Sequence, residues 1–309
     1  MTGKKILTCL LAFCMLAGAA GCGQRAADET DKTDKTASEG AGEAALGTEA
    51  NAGTRLLTDG AGREVEVPET VESIVCLNVG ALRYTCYLQA QDLVVGVEDY
   101  EKEQSISRGY NYVNYELFAD LPIVGNNGSH YAEEIITADP DVIVLASHDA
   151  SEADNLQDTT GIPVVVVPGS DQMLDENAYE TIRLMGELYG KEERAQELAA
   201  YLDSVKADLE ERTAGVAEED KPTAYVGGVS YKGAHGFEGT EAQYGPFAAI
   251  HARNLADETG QNGPFDIDPE QVLAWDPDVI FLDYNGIDLI NEDYASNPAF
   301  YEQLTAVQE

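Results

Sequence analysis

Residues 133–145 read EEIITADPDVIVL and residues 270–282 read EQVLAWDPDVIFL. The two stretches align without a gap at an offset of 137, with seven of thirteen positions identical. Self-similarity at a fixed offset predicts one supersecondary unit used twice, once per lobe. Each copy opens as a short helix with Glu133 or Glu270 in its first turn. Each turns at Asp-Pro-Asp, Asp139-Pro140-Asp141 and Asp276-Pro277-Asp278, because proline disfavours helix at the residue before it. Each then enters an apolar run of the type expected for a strand buried on both faces.

More of the same pattern surrounds the first copy. Ile74–Leu77, Leu93–Val97, Ile123–Val124, Val142–Leu145 and Pro163–Val167 are short and rich in β-branched residues, and predict strands. Helices are expected near Gly80–Gln89, Ala132–Ala138 and Asn177–Tyr189. Strands alternating with helices imply an α/β fold with mostly parallel sheets covered on both faces. The plan restarts at Thr223–Gly227 and runs through Val279–Leu282. Between the two copies, Ala195, Leu198, Leu202, Val205 and Leu209 keep 3-4-3-4 spacing, one apolar stripe on a helix. The fold class is therefore two Rossmann-like lobes bridged by one long helix. The second lobe looks unfinished, because only 27 residues follow Leu282, with a helix expected over Ala299–Val307. A truncated product or fragment is the expectation.

The chain begins with an address. Lys4 and Lys5 precede an almost wholly apolar or small stretch, Ile6 to Ala20, too short for a membrane span and suited to an export signal. It closes with Ala19-Ala20-Gly21-Cys22, similar to a bacterial lipobox, so Cys22 is the expected lipidation site. Residues 23–54 are rich in Ala, Gly, Thr, Asp and Glu without an aromatic residue, as expected of a flexible tether. The expected organisation is signal 1–22, tether 23–54, N-terminal lobe 55–190, connecting helix 191–214 and C-terminal lobe 215–309. Of the body cysteines, Cys76 falls on a predicted strand and Cys86 in the following helix, which favours two separate thiols over a disulfide.

Composition excludes several functions. The 57 acidic residues against 18 basic ones give a net charge of -39, unsuited to binding nucleic acid. Residues 1–22 carry +2 and residues 23–54 carry -4, so -37 lies on the body. Gly228-Val229-Ser230-Tyr231-Lys232-Gly233 follows a predicted strand, but the second glycine comes one residue late for a nucleophile elbow. No phosphate-binding or dinucleotide glycine loop and no H-E-x-x-H is present. Hydrolase chemistry is thus missing, and no catalytic residue or cofactor is assigned.

The lipobox, the tether, Thr58-Asp59-Gly60 through Pro68, Leu121-Pro122-Ile123-Val124-Gly125, the two Glu…Asp-Pro-Asp units and a single connecting helix form a constellation. It resembles the substrate-binding lipoproteins of iron-chelate and vitamin B12 ABC importers, from about residue 56 to the end. The resemblance implies an extracytoplasmic, lipid-anchored protein that captures a siderophore-type chelate in a cleft between its lobes. Its partners would be that small molecule and an ABC permease dimer with its ATPase. Haem or cobalamin is the alternative ligand, and a surface sensor or adhesin the alternative use of the fold. The resemblance also implies that one Glu per lobe, Glu133 and Glu270 by position, docks on permease arginines. A carboxylate in a first helical turn is held by the helix dipole and suits a bidentate Arg contact.

In open parallel sheets ligands lie beyond the C-terminal strand ends. Those ends hold the candidate ligand-binding residues Asn78, Arg83, Tyr100, Asn127, His130, Tyr131 and His148 in the first lobe. In the second they hold Tyr231, Lys232, His235, Tyr244 and Tyr284, with a loop expected from His235 to Phe247. Tyrosine offers a flat body with a polar tip, and imidazole or phenolate can ligate a metal. The net charge favours a neutral or cationic chelate over an anionic one.

Overall fold

The computed structural model describes residues 53–169 and 174–308, so Cys22, the signal and the tether up to residue 52 lie outside the described residues, while Thr54, expected at the end of the tether, opens the first strand. A hairpin of β1 (Thr54–Thr58) and β2 (Glu64–Pro68) comes first. Then follow β3 (Ile74–Leu77), α1 (Ala81–Tyr87), β4 (Val94–Glu98), α2 (Gly109–Phe118), β5 (Ile123–Asn126) and β6 (Ser129–His130). Next come α3 (Ala132–Ala138), β7 (Val142–Ala146), α4 (Ala150–Thr160), β8 (Val164–Val167), α5 (Glu176–Tyr189) and the long α6 (Glu192–Thr213). The second half contains β9 (Thr223–Gly227), β10 (Gly239–Ala242), α7 (Gly245–Ala249), β11 (Arg253–Asn254) and β12 (Gly263–Asp266). It ends with α8 (Pro269–Trp275), β13 (Val279–Leu282), α9 (Ile287–Ser296), α10 (Pro298–Tyr301) and α11 (Thr305–Gln308). None of the described helices is long and apolar enough to cross a membrane.

The main sheet has strand order β6-β5-β4-β3-β7-β8, parallel except for β6. Strand side chains alternate between faces, and here both faces are dry. Ile74, Cys76, Val142, Val144, Val165 and Val167 join one core with residues of α1, α5 and α6. Val75, Leu77, Ile143, Leu145, Val164 and Val166 join the other with Ile135 of α3 and Ala153 and Leu156 of α4. This is why the strands read as continuous apolar runs, each fully buried side chain contributing about 1.5–3 kcal/mol. The hairpin is fastened by Asp59, only 4% exposed. Its Oδ2 accepts from Arg63 at 2.8 Å and from the Val166 N–H at 3.1 Å.

Both Asp-Pro-Asp turns form as predicted, with a refinement. Asp139 (φ 51°) and Asp276 (φ 44°) cap α3 and α8 in the left-handed region, which aspartate tolerates better than most residues. The second copy differs in burial. Residues of β7 from Val142 to Leu145 are buried, whereas Val279, Phe281 and Leu282 of β13 are exposed. This corrects the expectation of a doubly buried strand: β13 is an edge of the sheet β11-β9-β13, paired only with β9.

Other expectations also shift. Ala299–Val307 is broken into α10 and α11. The segment from His235 to Phe247 holds β10 and most of α7 and is not a plain loop. Two helices, α2 and α4, fill gaps the apolar pattern left open. In α6 the stripe buries Ala195, Leu198 and Leu202 against the first core, while Val205 and Leu209 are half-buried. Cys76 and Cys86 are unpaired thiols. Burial pushes both up to about 12, against hydrogen bonding to Thr85 in the case of Cys76.

Candidate functional site

The C-terminal ends of β3, β5, β7 and β8 open onto a cleft of about 530 Å³, within the range of small-molecule sites. After β3 the chain turns through Asn78 (φ 65°) and Gly80 (φ 108°) into α1. Asn78 is the hub of the floor. Its Nδ2 donates to the Ala146 carbonyl at 3.1 Å, and its Oδ1 accepts from the Gly128 N–H at 3.0 Å. One amide thus ties the ends of three strands together. Gly169 (φ 59°) closes the far side, where a Cβ would lie 3.3 Å from that of Ala146.

Asn127, Ser147, His148, Asp175 and Asn177 complete the first-half lining, and Glu241 of β10 enters from the second half. The lining therefore carries two carboxylates, three side-chain amides, a hydroxyl and an imidazole, and no Lys or Arg among the described residues. Asp175 also caps α5, accepting from the Ala178 N–H at 2.8 Å. Behind Ser147, Glu152 accepts from Ser147 Oγ at 2.6 Å and bonds His130 Nε2 at 3.0 Å. Burial works against the Glu152 carboxylate, but these bonds outweigh it and hold its pKa below the usual range.

Two buried carboxyls lie at the end of β4. Glu98 is 2% and Glu101 1% exposed. Tyr100 donates to Glu98 Oε2 at 3.1 Å, while Glu98 Oε1 has no hydrogen-bond partner among the described residues. Glu101 accepts from Tyr110 at 2.6 Å and Asn111 at 2.9 Å, with Arg108 at 3.9 Å. Burial pushes both carboxyls above the usual glutamate range despite these bonds, and pushes the Tyr100 phenol well above its ordinary value.

Of the twelve residues expected around a ligand, Asn78, Asn127 and His148 line the cleft. Arg83 lies next to Gly80, its Nη2 3.8 Å from where a Cβ of that glycine would be, with the guanidinium 5.4 Å from the Tyr84 ring. Tyr100 and His130 are engaged with Glu98 and Glu152. Tyr131 is the N-cap residue of α3 and exposed. Tyr231 stacks on His235 at 4.1 Å, Lys232 is exposed, Tyr244 meets Phe247 edge-on, and Tyr284 is 64% exposed. Asp175, Asn177 and Glu241 were not singled out. Asp175 was findable as a helix cap; Glu241 was not, because its strand pairs with β12, more than twenty residues on.

Glu133 and Glu270 stand exposed in the first turns of α3 and α8. Asp268 accepts from the Glu270 N–H at 3.0 Å, with Pro269 at the first helical position, a well-formed start. Tyr131 gives α3 no side-chain cap.

Comparison with known proteins now adds a family and a fold. The family model described as periplasmic binding protein matches residues 74–309. The molybdate-binding protein MolA of Haemophilus influenzae is 24% identical over 249 residues, 74% of this chain and 68% of that protein. Its structure with molybdate superposes at a TM-score of 0.66 and 22% identity, covering 82% of this chain and 81% of MolA. An uncharacterized ABC transporter substrate-binding lipoprotein of Bacillus subtilis, YvrC, is 24% identical over 72% of this chain and 67% of its own. The vitamin B12 binding protein BtuF of Vibrio cholerae superposes at 0.54 with 21% identity, covering 77% and 85%.

Proposed function

The chain belongs to the periplasmic binding protein family, and from that membership we propose that it is the substrate-binding lipoprotein of an ABC importer, anchored outside the cell through Cys22. It captures a neutral or cationic metal chelate, of the ferric siderophore class, in the cleft and delivers it to a permease dimer driven by its ATPase. The observation that supports the choice of ligand is the cleft lining, Asp175 and Glu241 with amides and His148, with the Arg83 guanidinium set beside Gly80 at its edge. A free oxyanion such as molybdate needs donors and positive charge, and here would meet carboxylates within a body of strongly negative charge. A neutral chelate is instead met by amide donors and acceptors, with its metal already enclosed.

The protein binds its ligand and does not transform it. Glu133 and Glu270 are the docking contacts in this reading, each fixed in a first helical turn and free to meet arginine. Native mass spectrometry with neutral, cationic and anionic ferric chelates, haem, cobalamin and molybdate tests the reading. A one-to-one complex with a neutral or cationic ferric chelate is expected; binding of molybdate alone would overturn it.

A further inference from the structure

Outside the cleft lining, three ligating side chains converge where β10 and β12 meet. His235, Glu238 and Asp266 each offer one ligand atom, all within 4.8 Å of one another. His235 Nε2 lies 2.8 Å from the Tyr231 carbonyl oxygen. A carbonyl only accepts, so Nε2 carries a proton. The lone pair of the neutral imidazole then sits on Nδ1, which lies 2.8 Å from Asp266 Oδ1. A carboxylate also only accepts. Two acceptors this close need a positive charge between them, either a second ring proton or a metal cation. Glu238 brings a third ligand atom within 4.8 Å, which gives a cation a three-point site.

We propose that His235, Glu238 and Asp266 form a binding site for a first-row divalent cation of the zinc or manganese type, with water completing its coordination. One imidazole and two carboxylates suit such ions better than calcium or magnesium, which take oxygen ligands. The surroundings are those of a ligand shell. A metal-bound histidine donates its other ring N–H to a carbonyl or carboxylate, the part Tyr231 plays here. The Tyr231 ring lies flat on His235, 3° from parallel.

Local contacts hold the three ligands near one another in the fold. Glu238 Oε1 accepts from the Gly236 N–H at 3.1 Å. Gly239 has to be glycine, since a Cβ there would fall 2.5 Å from that of His235. Phe237, between two of the ligands, is buried, and its carbonyl accepts from Tyr225 at 2.6 Å. Asp266 stands directly across from Gly239 in the β10–β12 register. Ligands already in position lose little entropy on binding. The His235 and Asp266 side chains keep 20% and 50% exposure, so ion and water have access. A bound cation fastens the segment after β9 to β12.

Calorimetric titration of the chelator-treated protein with Zn2+ tests the site, beside His235→Gln and Asp266→Asn checked for native circular dichroism. One equivalent is expected in the wild type, with affinity at least about tenfold weaker in each variant, and a thermal midpoint that rises more with Zn2+ in the wild type than in either variant. Equal Zn2+ affinity in all three proteins, or no saturable binding in the wild type, would overturn the proposal and leave a His235 imidazolium paired with Asp266. A Co2+ titration of the wild type needs no variant. Visible bands saturating at one equivalent are expected, and a spectrum of the hydrated ion throughout would count against the site.

Discussion

Asp141 and Ser73 hold each other reciprocally: Asp141 Oδ2 accepts the Ser73 N–H at 3.0 Å, and Ser73 Oγ accepts the Asp141 N–H at 3.0 Å. Asp278 and Thr223 repeat the exchange at 2.7 and 2.9 Å. In both copies the last Asp of Asp-Pro-Asp clamps the start of the neighbouring parallel strand, β3 or β9. Asp141 also takes the Glu72 N–H at 2.7 Å. Asp141→Ala leaves two partly solvated backbone donors without this partner, and should lower stability by about 0.5–1.5 kcal/mol in urea unfolding. An unchanged midpoint would remove the clamp from the account.

Glu98 and Glu101 predict a pH dependence. Burial raises both carboxyls in the folded protein above their unfolded values. Each therefore binds its proton more tightly when folded, so its contribution is full below the usual glutamate pKa and is lost as pH rises through the folded value. Glu98→Gln cannot lose that proton. Relative to wild type it should gain stability at neutral pH and gain nothing in acid. Urea midpoints of the two proteins that run parallel from acid to neutral pH would contradict this.

The proposed docking residues, Glu133 and Glu270, can be separated from the ligand site by mutation. Glu133→Ala with Glu270→Ala should abolish uptake in cells while ligand affinity of the purified protein stays as in wild type. Both side chains are exposed and neither lines the cleft. A double mutant that loses ligand affinity would sink the docking assignment.

Glu241 should tune charge preference. Replacing it by Gln removes one of the two lining carboxylates, and should weaken a cationic chelate while leaving a neutral one little changed. The difference should shrink as salt rises, since exposed charges are screened. Calorimetry with both chelates in low and high salt reads it directly.

The strands of the main sheet were legible because burial on both faces writes itself as unbroken β-branched runs, and both Asp-Pro-Asp turns because proline marks them. Ile74–Leu77, Thr223–Gly227 and Val279–Leu282 agree to the residue. Helix α4 escaped notice because it buries only Ala153 and Leu156, so its cap, Asp149 accepting from Ser151, and Gly161 at its end were the only strong signals. The exposure of β13 could not be read, because edge position is set by pairing between distant segments and not by local pattern. At the cleft, strand-end logic found Asn78, Asn127 and His148. It also nominated tyrosines and histidines that fold back onto their own neighbours, as Tyr100 does on Glu98. Side-chain direction in such loops depends on tertiary packing, which spacing alone does not encode.

On the proposed function, this cleft selects a metal chelate by its lack of negative charge. Calorimetric titration with a matched pair of ferric hydroxamates, one neutral and one bearing added carboxylates, tests it most directly. The neutral chelate should bind at least about tenfold more tightly, since placing like charges together at an interface costs free energy that the complex must overcome. Tighter binding of the carboxylate-bearing chelate, or binding of neither beside tight binding of molybdate, would contradict the account.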